Sequence, residues 1–199
     1  MTEMLSSEER PLRADARRNR QRILESAGAV FSESGSEAQI DDVARRAGVG
    51  VGTVYRHFPT KEALVAELVR QKFELFAARA NEALELPGEP FTVLADMLRA
   101  NAADLERDVV MQEMVAGLDD HIWTVVQPAQ DEMLRAIQVL IDRAHRAGTM
   151  RPDATASDIG MLMCGLCATM AQTARDFDWR RHLDLMIEML RGRPGPAQA

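Results

Sequence analysis

Apolar positions recur along this chain at spacings of three and four residues, the period of a helix with one buried face. Ile23, Ala27, Val30 and Phe31 make the first such stripe. Ile40, Val43, Ala44 and Ala47 make the second, at i, i+3, i+4 and i+7, with Asp41, Asp42, Arg45 and Arg46 off it. Asp41 and Asp42 fall in the first turn of that helix, where carboxylates complement the positive end of the dipole. Gly48 then follows Ala47, where the chain can adopt a left-handed conformation and turn sharply. A third, short pattern runs from about Gly50 to His57. Its inward positions are Val49, Val54 and Phe58, and Val51, Gly52, Thr53, Tyr55 and His57 are left on its outer surface. Pro59 ends it, because the residue before a proline is pushed out of the α region. Two short helices around a glycine turn, all within residues 39–61, predict a helix-turn-helix whose second helix enters the major groove of DNA. Small residues at the start of that helix allow close approach to base edges, and Tyr55 and His57 reach phosphate oxygens.

The remaining chain reads as further helices. Thr60 is a good N-cap, and one helix is expected from there to about Leu84, ended by Pro87-Gly88-Glu89-Pro90 and joining the DNA-reading head to the body. Others are expected at about 91–106, 108–118 and 127–147. Met133, Ile137, Leu140, Ile141 and Ala144 stripe the last of these, and Arg143 and Arg146 suit its C-terminus before Gly148. Thr155, with Asp158 three residues later, is a capping-box-like start for the next helix. Residues 159–174 carry no formal charge over 16 positions, so this helix is expected to be buried all round. It is too short for a membrane span and carries glycines, Gln172 and two threonines, which excludes a transmembrane reading. A chain this small covers one side of such a helix with its own core, and the other side wants a second subunit. A matching stripe, Leu183, Met186, Ile187 and Leu190, lies in a final helix near Trp179–Arg191. A two-fold homodimer is therefore expected, with the two helices pairing with their copies through Leu162, Leu166, Met170, Leu183, Met186, Ile187 and Leu190. The first ten residues and the terminal RGRPGPAQA are expected to fray.

Charge sharpens this picture. The 199-residue chain has a formal charge of −7, which by itself argues against a nucleic-acid partner. Residues 10–61, however, carry ten Lys/Arg against six Asp/Glu, and residues 62–199 carry 14 against 22. One basic end and one acidic body suit a protein that docks on DNA in one orientation. Lys61 stands in the first turn of its helix, where a cation opposes the dipole by roughly 0.3–1 kcal/mol; a DNA phosphate there would reverse the sign. Arg13, Arg17, Arg18, Arg20 and Arg22 crowd what reads as the start of the first helix, an arrangement that suits a polyanion. The N-terminus has no apolar run of the signal-peptide kind, so a cytoplasmic protein is expected. Cys164 and Cys167 form CGLC inside an apolar helical run, where small buried residues are the expected reading and a redox-sensing pair the alternative. No nucleophile with a nearby base, no H-E-x-x-H and no phosphate-cradling glycine loop is present, so no enzyme, cofactor or metal is expected. Asp119-Asp120-His121 is expected to be a surface loop.

Residues 18–68 resemble the DNA-binding domain of TetR-type (tetracycline-repressor-like) transcription regulators. The resemblance is carried by Ile23-Leu24, Ala27, Phe31, Gly35, Ile40-Asp41-Asp42-Val43-Ala44, Ala47-Gly48-Val49, Gly52-Thr53-Val54-Tyr55-Arg56-His57-Phe58 and Lys61-Glu62-Ala63-Leu64. It departs from the common pattern at Gln39, where a threonine is usual, and at Gly50, where a serine often caps the recognition helix. The resemblance implies DNA contacts by Thr53, Tyr55, His57 and Lys61, and Arg17, Arg18, Gln39, Arg46, Val51 and Gly52 complete the candidate surface. It also implies a mostly apolar pocket between the middle helices, with Met97, Met114, Leu118, Trp123, Met133, Ile137 and Met163 as candidate lining. Methionine suits such a pocket because it adapts to irregular cavities. The expected fold is all-α: an arm (1–12), a three-helix helix-turn-helix domain (13–59), a helical effector-binding and dimerisation domain (60–191) and a tail (192–199). The expected function is a transcriptional regulator, a repressor released from a near-palindromic operator when a small, mostly apolar effector shifts the helix that starts at Thr60. The alternatives are an architectural DNA-binding protein without effector, and a thiol-responsive regulator acting through Cys164 and Cys167.

Overall fold

A computed structural model of the chain describes residues 9–106, 108, 111–112, 120–172 and 177–192. Among these residues the regular structure is helical, without a strand: α1 (Glu9–Ser34), a 3-10 turn (Gly35–Glu37), α2 (Ile40–Ala47), α3 (Val51–His57), α4 (Lys61–Leu84), α5 (Pro90–Leu105), α6 (Asp120–Arg146), α7 (Ala156–Ala171) and α8 (Trp179–Leu190). The chain divides into two compact units, Met1–Leu68 and Val69–Ala199, so the division falls inside α4 rather than at the Pro59 break read from the sequence.

The first unit is built on the stripes seen in the sequence. Ile23, Leu24, Ala27, Val30 and Phe31 of α1 are buried with Ile40, Val43, Ala44 and Ala47 of α2, Val54 of α3, Phe58, and Leu64 of α4. Burying such side chains contributes roughly 1.5–3 kcal/mol each for the larger ones, which is what holds the short helices α2 and α3 against α1. One expectation is corrected here: α1 begins at Glu9, inside the stretch expected to fray. Arg17, Arg18, Arg20 and Arg22 therefore sit two to four turns into the helix, beyond the reach of its N-terminal dipole, and the argument from an unfavourable helix start does not apply to them.

In the second unit three of the helix starts have a chemical cause. The Glu89 carboxylate accepts from the backbone N–H of Phe91 (2.7 Å) and Thr92 (2.8 Å), with Pro90 behind it as the first residue of α5, where the missing N–H costs nothing. Thr155 and Asp158 form the reciprocal capping box of α7 expected from their spacing. Asp178 caps α8 by accepting from the Arg181 N–H at 3.0 Å. The expected helix at 108–118 lies largely outside the described residues; its beginning is seen where Asp108 Oδ1 accepts from the Met111 N–H at 3.1 Å.

The second unit also brings three corrections. First, α6 starts at Asp120, seven residues before the expected 127, and carries Pro128 inside it, so Asp120 and His121 are helical backbone rather than loop. Pro128 cannot donate to the carbonyl four residues earlier, yet the helix runs through it. Second, Gly192 does not begin a frayed tail: its N–H donates to the Thr149 carbonyl (2.8 Å), and the Arg151 N–H donates to the Leu190 carbonyl (2.9 Å). Residues 193–199 lie outside the described residues. Third, α7 leaves one side open within the chain, as expected of a helix that wants a second subunit, but it is not the side that carries the expected interface residues. Ile159, Leu166, Cys167 and Met170 face inward, while Met161 is 64 % exposed and Gly165, Ala168 and Ala171 lie on the same open side.

The third correction decides which residues can meet a partner. Leu166, Met170, Leu183, Met186, Ile187 and Leu190 were expected at a subunit interface, but they are buried in their own chain, and Leu162 is half-buried. The intramolecular core takes the stronger stripe first. The apolar side chains left outside on these two helices are Met161 on α7, and Leu185 (47 % exposed) and Met189 (57 %) on α8.

Candidate functional site

The turn between α2 and α3 is set by Gly48, which takes φ 64°, ψ 38° while its N–H returns to the carbonyls of Ala44 and Arg45. The Val49 N–H also reaches the Ala44 carbonyl, at 3.1 Å, so the last carbonyls of α2 are satisfied as the chain reverses. Arg22 of α1 donates from Nη2 to the Ala47 carbonyl and braces the turn from behind. Gly50 starts α3 in an extended conformation without a side-chain cap, as its missing side chain requires. Within α3 only Val54 is buried. Val51 (37 % exposed), Gly52, Tyr55 (47 %) and Arg56 face out, and Thr53 and His57 are half-buried beside them. The outer surface predicted from the spacing is the one observed.

Arg56 was missed as a candidate although it lies on this exposed face, its Nε donating back to the Gly52 carbonyl at 3.3 Å. Its signal was available: a basic residue in the last turn of the groove-entering helix, where phosphates are within reach. Lys61 stands in the first turn of α4 after the Thr60 cap, whose Oγ1 accepts from the Ala63 N–H at 3.1 Å, and its Nζ lies 5.5 Å from the centre of the Phe31 ring. Gln39 precedes α2 without capping it; its Nε2 donates to the Glu37 carbonyl at 2.8 Å.

The arginines divide by what they touch. Arg46 bonds both oxygens of Glu33, at 2.7 and 2.8 Å, and Arg18 pairs with Asp15 one turn away. These are exposed pairs, each worth less than about 1 kcal/mol, so a phosphate can displace the carboxylate at small cost. Arg17 is exposed on α1. Arg20 is different: it lies 4.9 Å over the Phe58 ring and pairs at 3.0 Å with Glu67, a carboxylate only 8 % exposed. Arg20 and Arg22 thus brace the fold of the first unit, Arg20 with its charge balanced by Glu67 and Arg22 while still exposed.

The second unit holds a cavity of about 400 Å³, open to solvent where Ser157, Met161 and Cys164 are exposed. Phe73 and Phe76 of α4, Leu98, Asn101 and Leu105 of α5, Met111 beyond it, Trp123, Gln130, Met133, Leu134 and Ile137 of α6, and residues of α7 from Ser157 to Cys167 line it. Of the expected lining, Trp123, Met133, Ile137 and Met163 are there. Met97 is not: it is buried elsewhere, and its neighbour Leu98, about 100° further round the helix, takes that place. Met114 and Leu118 lie outside the described residues. Phe73, Phe76 and Asn101 were missed, because long-range packing rather than any local pattern turns them toward one space.

The cavity wall includes both thiols. Only Cys167 is buried as expected; Cys164 is exposed on α7. Partial burial still pushes the Cys164 thiol up, and burial pushes Cys167 up to about 12, with Cys164 and Asp108 adding to the latter. A reactive sensor thiol needs the opposite shift, so this environment disfavours the thiol-responsive reading. No described helix is long and apolar enough to cross a membrane.

Comparison with known proteins follows the same division of the chain. The model described as bacterial regulatory proteins, tetR family, matches residues 23–68. The model described as transcriptional regulator SbtR-like, C-terminal domain, matches residues 89–192. The HTH-type transcriptional repressor KstR of Mycolicibacterium smegmatis is 28 % identical over 205 residues, covering 96 % of this chain and 97 % of the relative. The crystal structure of the TetR transcription regulatory protein from Mycobacterium vanbaalenii is 34 % identical with a TM-score of 0.63, over 91 % of this chain and 99 % of that one. That of the TetR transcriptional regulator SCO0520 from Streptomyces coelicolor is 30 % identical with a TM-score of 0.62, over 88 % and 99 %.

Proposed function

The chain belongs to the tetR family of bacterial regulatory proteins and is a DNA-binding transcriptional regulator, and from that premise we propose that it is a homodimeric repressor which leaves its operator when a small, mostly apolar molecule occupies the cavity of the second unit. The observation that carries the DNA-reading half is the outer face of α3, where Val51, Gly52, Thr53, Tyr55 and Arg56 stand together with Lys61 just beyond. In this reading Thr53 and the small residues beside it meet base edges, while Tyr55, His57, Lys61 and the displaceable Arg18 and Arg46 hold phosphates. Arg17 and Gln39 complete the backbone contacts.

A dimer is supported by the apolar side chains that α7 and α8 leave outside, Met161, Leu185 and Met189. Two-fold symmetry then places two α3 helices in grooves one helical turn or a multiple apart, on a nearly palindromic site. Release requires that the effector prefer the conformation unable to bind the operator. A preference worth about 1–3 kcal/mol lowers operator affinity roughly 5- to 150-fold. The test begins with selection of bound sites from random duplexes. On the selected site, Lys61→Ala should weaken specific and random DNA alike and reduce the salt slope by about one, whereas Thr53→Ala should change which site is preferred. Equal losses on specific and random DNA for Thr53→Ala would end its reading role.

A further inference from the structure

Three features of the cavity wall bear on what it can hold. The described lining residues include no charged side chain, so an ion entering would lose its hydration without a counter-charge. The thiols on the wall stay protonated, because burial raises them, and offer no thiolate to a cation. The third feature is Asn101, a polar side chain only 4 % exposed on a largely apolar wall. Its Oδ1 accepts from Arg79 Nη1 at 2.6 Å, and Arg79 Nη2 is paired with Asp104 Oδ2 at 2.8 Å. This chain of contacts fixes the orientation of the carboxamide: the oxygen is held by a guanidinium whose charge Asp104 already balances, and the face offered to the cavity is the N–H₂.

We infer that the cavity takes an uncharged, mostly apolar molecule bearing a carbonyl, ester or ether oxygen, and that the Asn101 carboxamide, oriented by Arg79, donates the hydrogen bond to that oxygen. The assignment deepens the repressor reading and rests on it for its regulatory meaning. Specificity follows from unequal penalties. A hydrocarbon of the right shape leaves the amide donors of Asn101 unpaired, a carboxylate or ammonium head must be desolvated with no opposite charge among the described lining residues to meet it, and a neutral acceptor satisfies the site at no such cost. The placement also ties ligand to scaffold, since Arg79, Phe73 and Phe76 all belong to α4.

The test is isothermal titration of the full-length protein with four probes: 2-octanone, octanoate, octylammonium and n-butylbenzene. Wild-type protein is expected to bind 2-octanone at least tenfold more tightly than either ion. Asn101→Leu should weaken 2-octanone about fivefold, the worth of one neutral hydrogen bond, and leave n-butylbenzene within twofold. Asn101→Asp retains the size of the side chain and the contact with Arg79 but turns the donor into an acceptor, so 2-octanone should weaken again and octylammonium should gain on it. Thermal melting shows that each variant is folded. The inference is overturned if octanoate or octylammonium matches the ketone on wild-type protein, if both folded variants keep the wild-type ketone affinity, or if folded wild-type protein binds none of the four. The regulatory reading is tested separately by operator affinity with and without bound ketone. Ketone binding that depends on Asn101 but leaves operator affinity unchanged supports the ligand assignment and overturns the release scheme.

Discussion

Gly48→Ala is the sharpest single perturbation of the DNA-reading unit, because two independent costs meet at one atom. At φ 64° an added Cβ places the backbone in a conformation costing roughly 1–2 kcal/mol for a side-chain-bearing residue. The same Cβ would sit 3.0 Å from Arg22 Nη2, the atom that donates to the Ala47 carbonyl, so Arg22 must shift and strain or lose that hydrogen bond, worth about 1 kcal/mol. The sum is about 2–3 kcal/mol, all of it in the first unit. For a unit of this size that lowers the melting midpoint by roughly 10–20 °C. The probes separate themselves: both tryptophans, Trp123 and Trp179, lie in the second unit, and the one tyrosine, Tyr55, lies in the first. Melting followed by Tyr55 fluorescence in a Trp-free background and by operator binding should show the shift, while the tryptophan signal of the otherwise native chain should move little. Repeating the substitution on Arg22→Ala divides the total, leaving only the backbone part of about 1–2 kcal/mol. If Gly48→Ala costs less than about 0.5 kcal/mol, or if the whole cost vanishes with Arg22, the left-handed turn is not what constrains this position.

Other expectations concern the second unit. Burial alone would raise the Glu89 carboxyl from its ordinary 4.5, but the Thr149 hydroxyl, the Phe91 and Thr92 N–H groups and the Thr92 hydroxyl outweigh it and bring the carboxyl to about 2. A lowered carboxylate stabilises the fold above pH 4.5 and loses that contribution as pH falls through about 2. Glu89→Gln should therefore destabilise by about 0.5–1 kcal/mol at pH 7, discounted for solvent exposure, with the difference from wild type closing toward pH 2 in urea titrations. Cys167, with its thiol near 12 and buried, should resist iodoacetamide at pH 7.5 while the protein is folded and react on denaturation, as read by mass spectrometry; rapid native alkylation would restore the thiol-switch reading. Replacing the exposed Met161 and Met189 by glutamate should yield folded monomers in sedimentation, whereas Leu183→Glu, which puts a charge into a 3 % exposed core position, should unfold the second unit. A dimer that survives the double change would move the interface elsewhere.

Legibility in the sequence followed the range of the interaction that decides each feature. Helix α2, the Gly48 turn, the outward face of α3 and the Thr155 capping box are set within four or five residues, and spacing alone located them. The start of α6 was misplaced because the stripe that located it begins at Met133, whereas packing extends the helix past Pro128 to the buried Ile122 and Val126. Periodicity found the stripe of α8 but not what it faces, since Leu183, Met186, Ile187 and Leu190 serve a core equally well within one chain or between two. Arg20 and Arg22 read as surplus charge because their partners, Glu67 and the Ala47 carbonyl, are 47 and 25 residues away. The cavity was legible only to the nearest side chain, Met97 in place of Leu98, and Asn101 carried no local signal at all.

The release scheme has one structural requirement that the chain meets by connectivity alone. Lys61, proposed to hold a DNA phosphate, and Phe73, Phe76 and Arg79, which line or brace the cavity, are residues of one uninterrupted helix, α4. A change in that helix where it meets the ligand is carried by the backbone itself, and a shift of about half an ångström at Lys61 already strains a hydrogen bond to phosphate. Two such displacements, applied to both halves of a two-fold site, multiply in the operator affinity rather than add, so a modest preference of ligand for the shifted state suffices. The scheme therefore needs no conformational wire of side chains between the units. It needs α4 to remain helical through residues 68–69, and Leu68→Gly, at the half-buried position of the pair rather than the buried Val69, should weaken the coupling of ligand to operator more than it weakens either binding event.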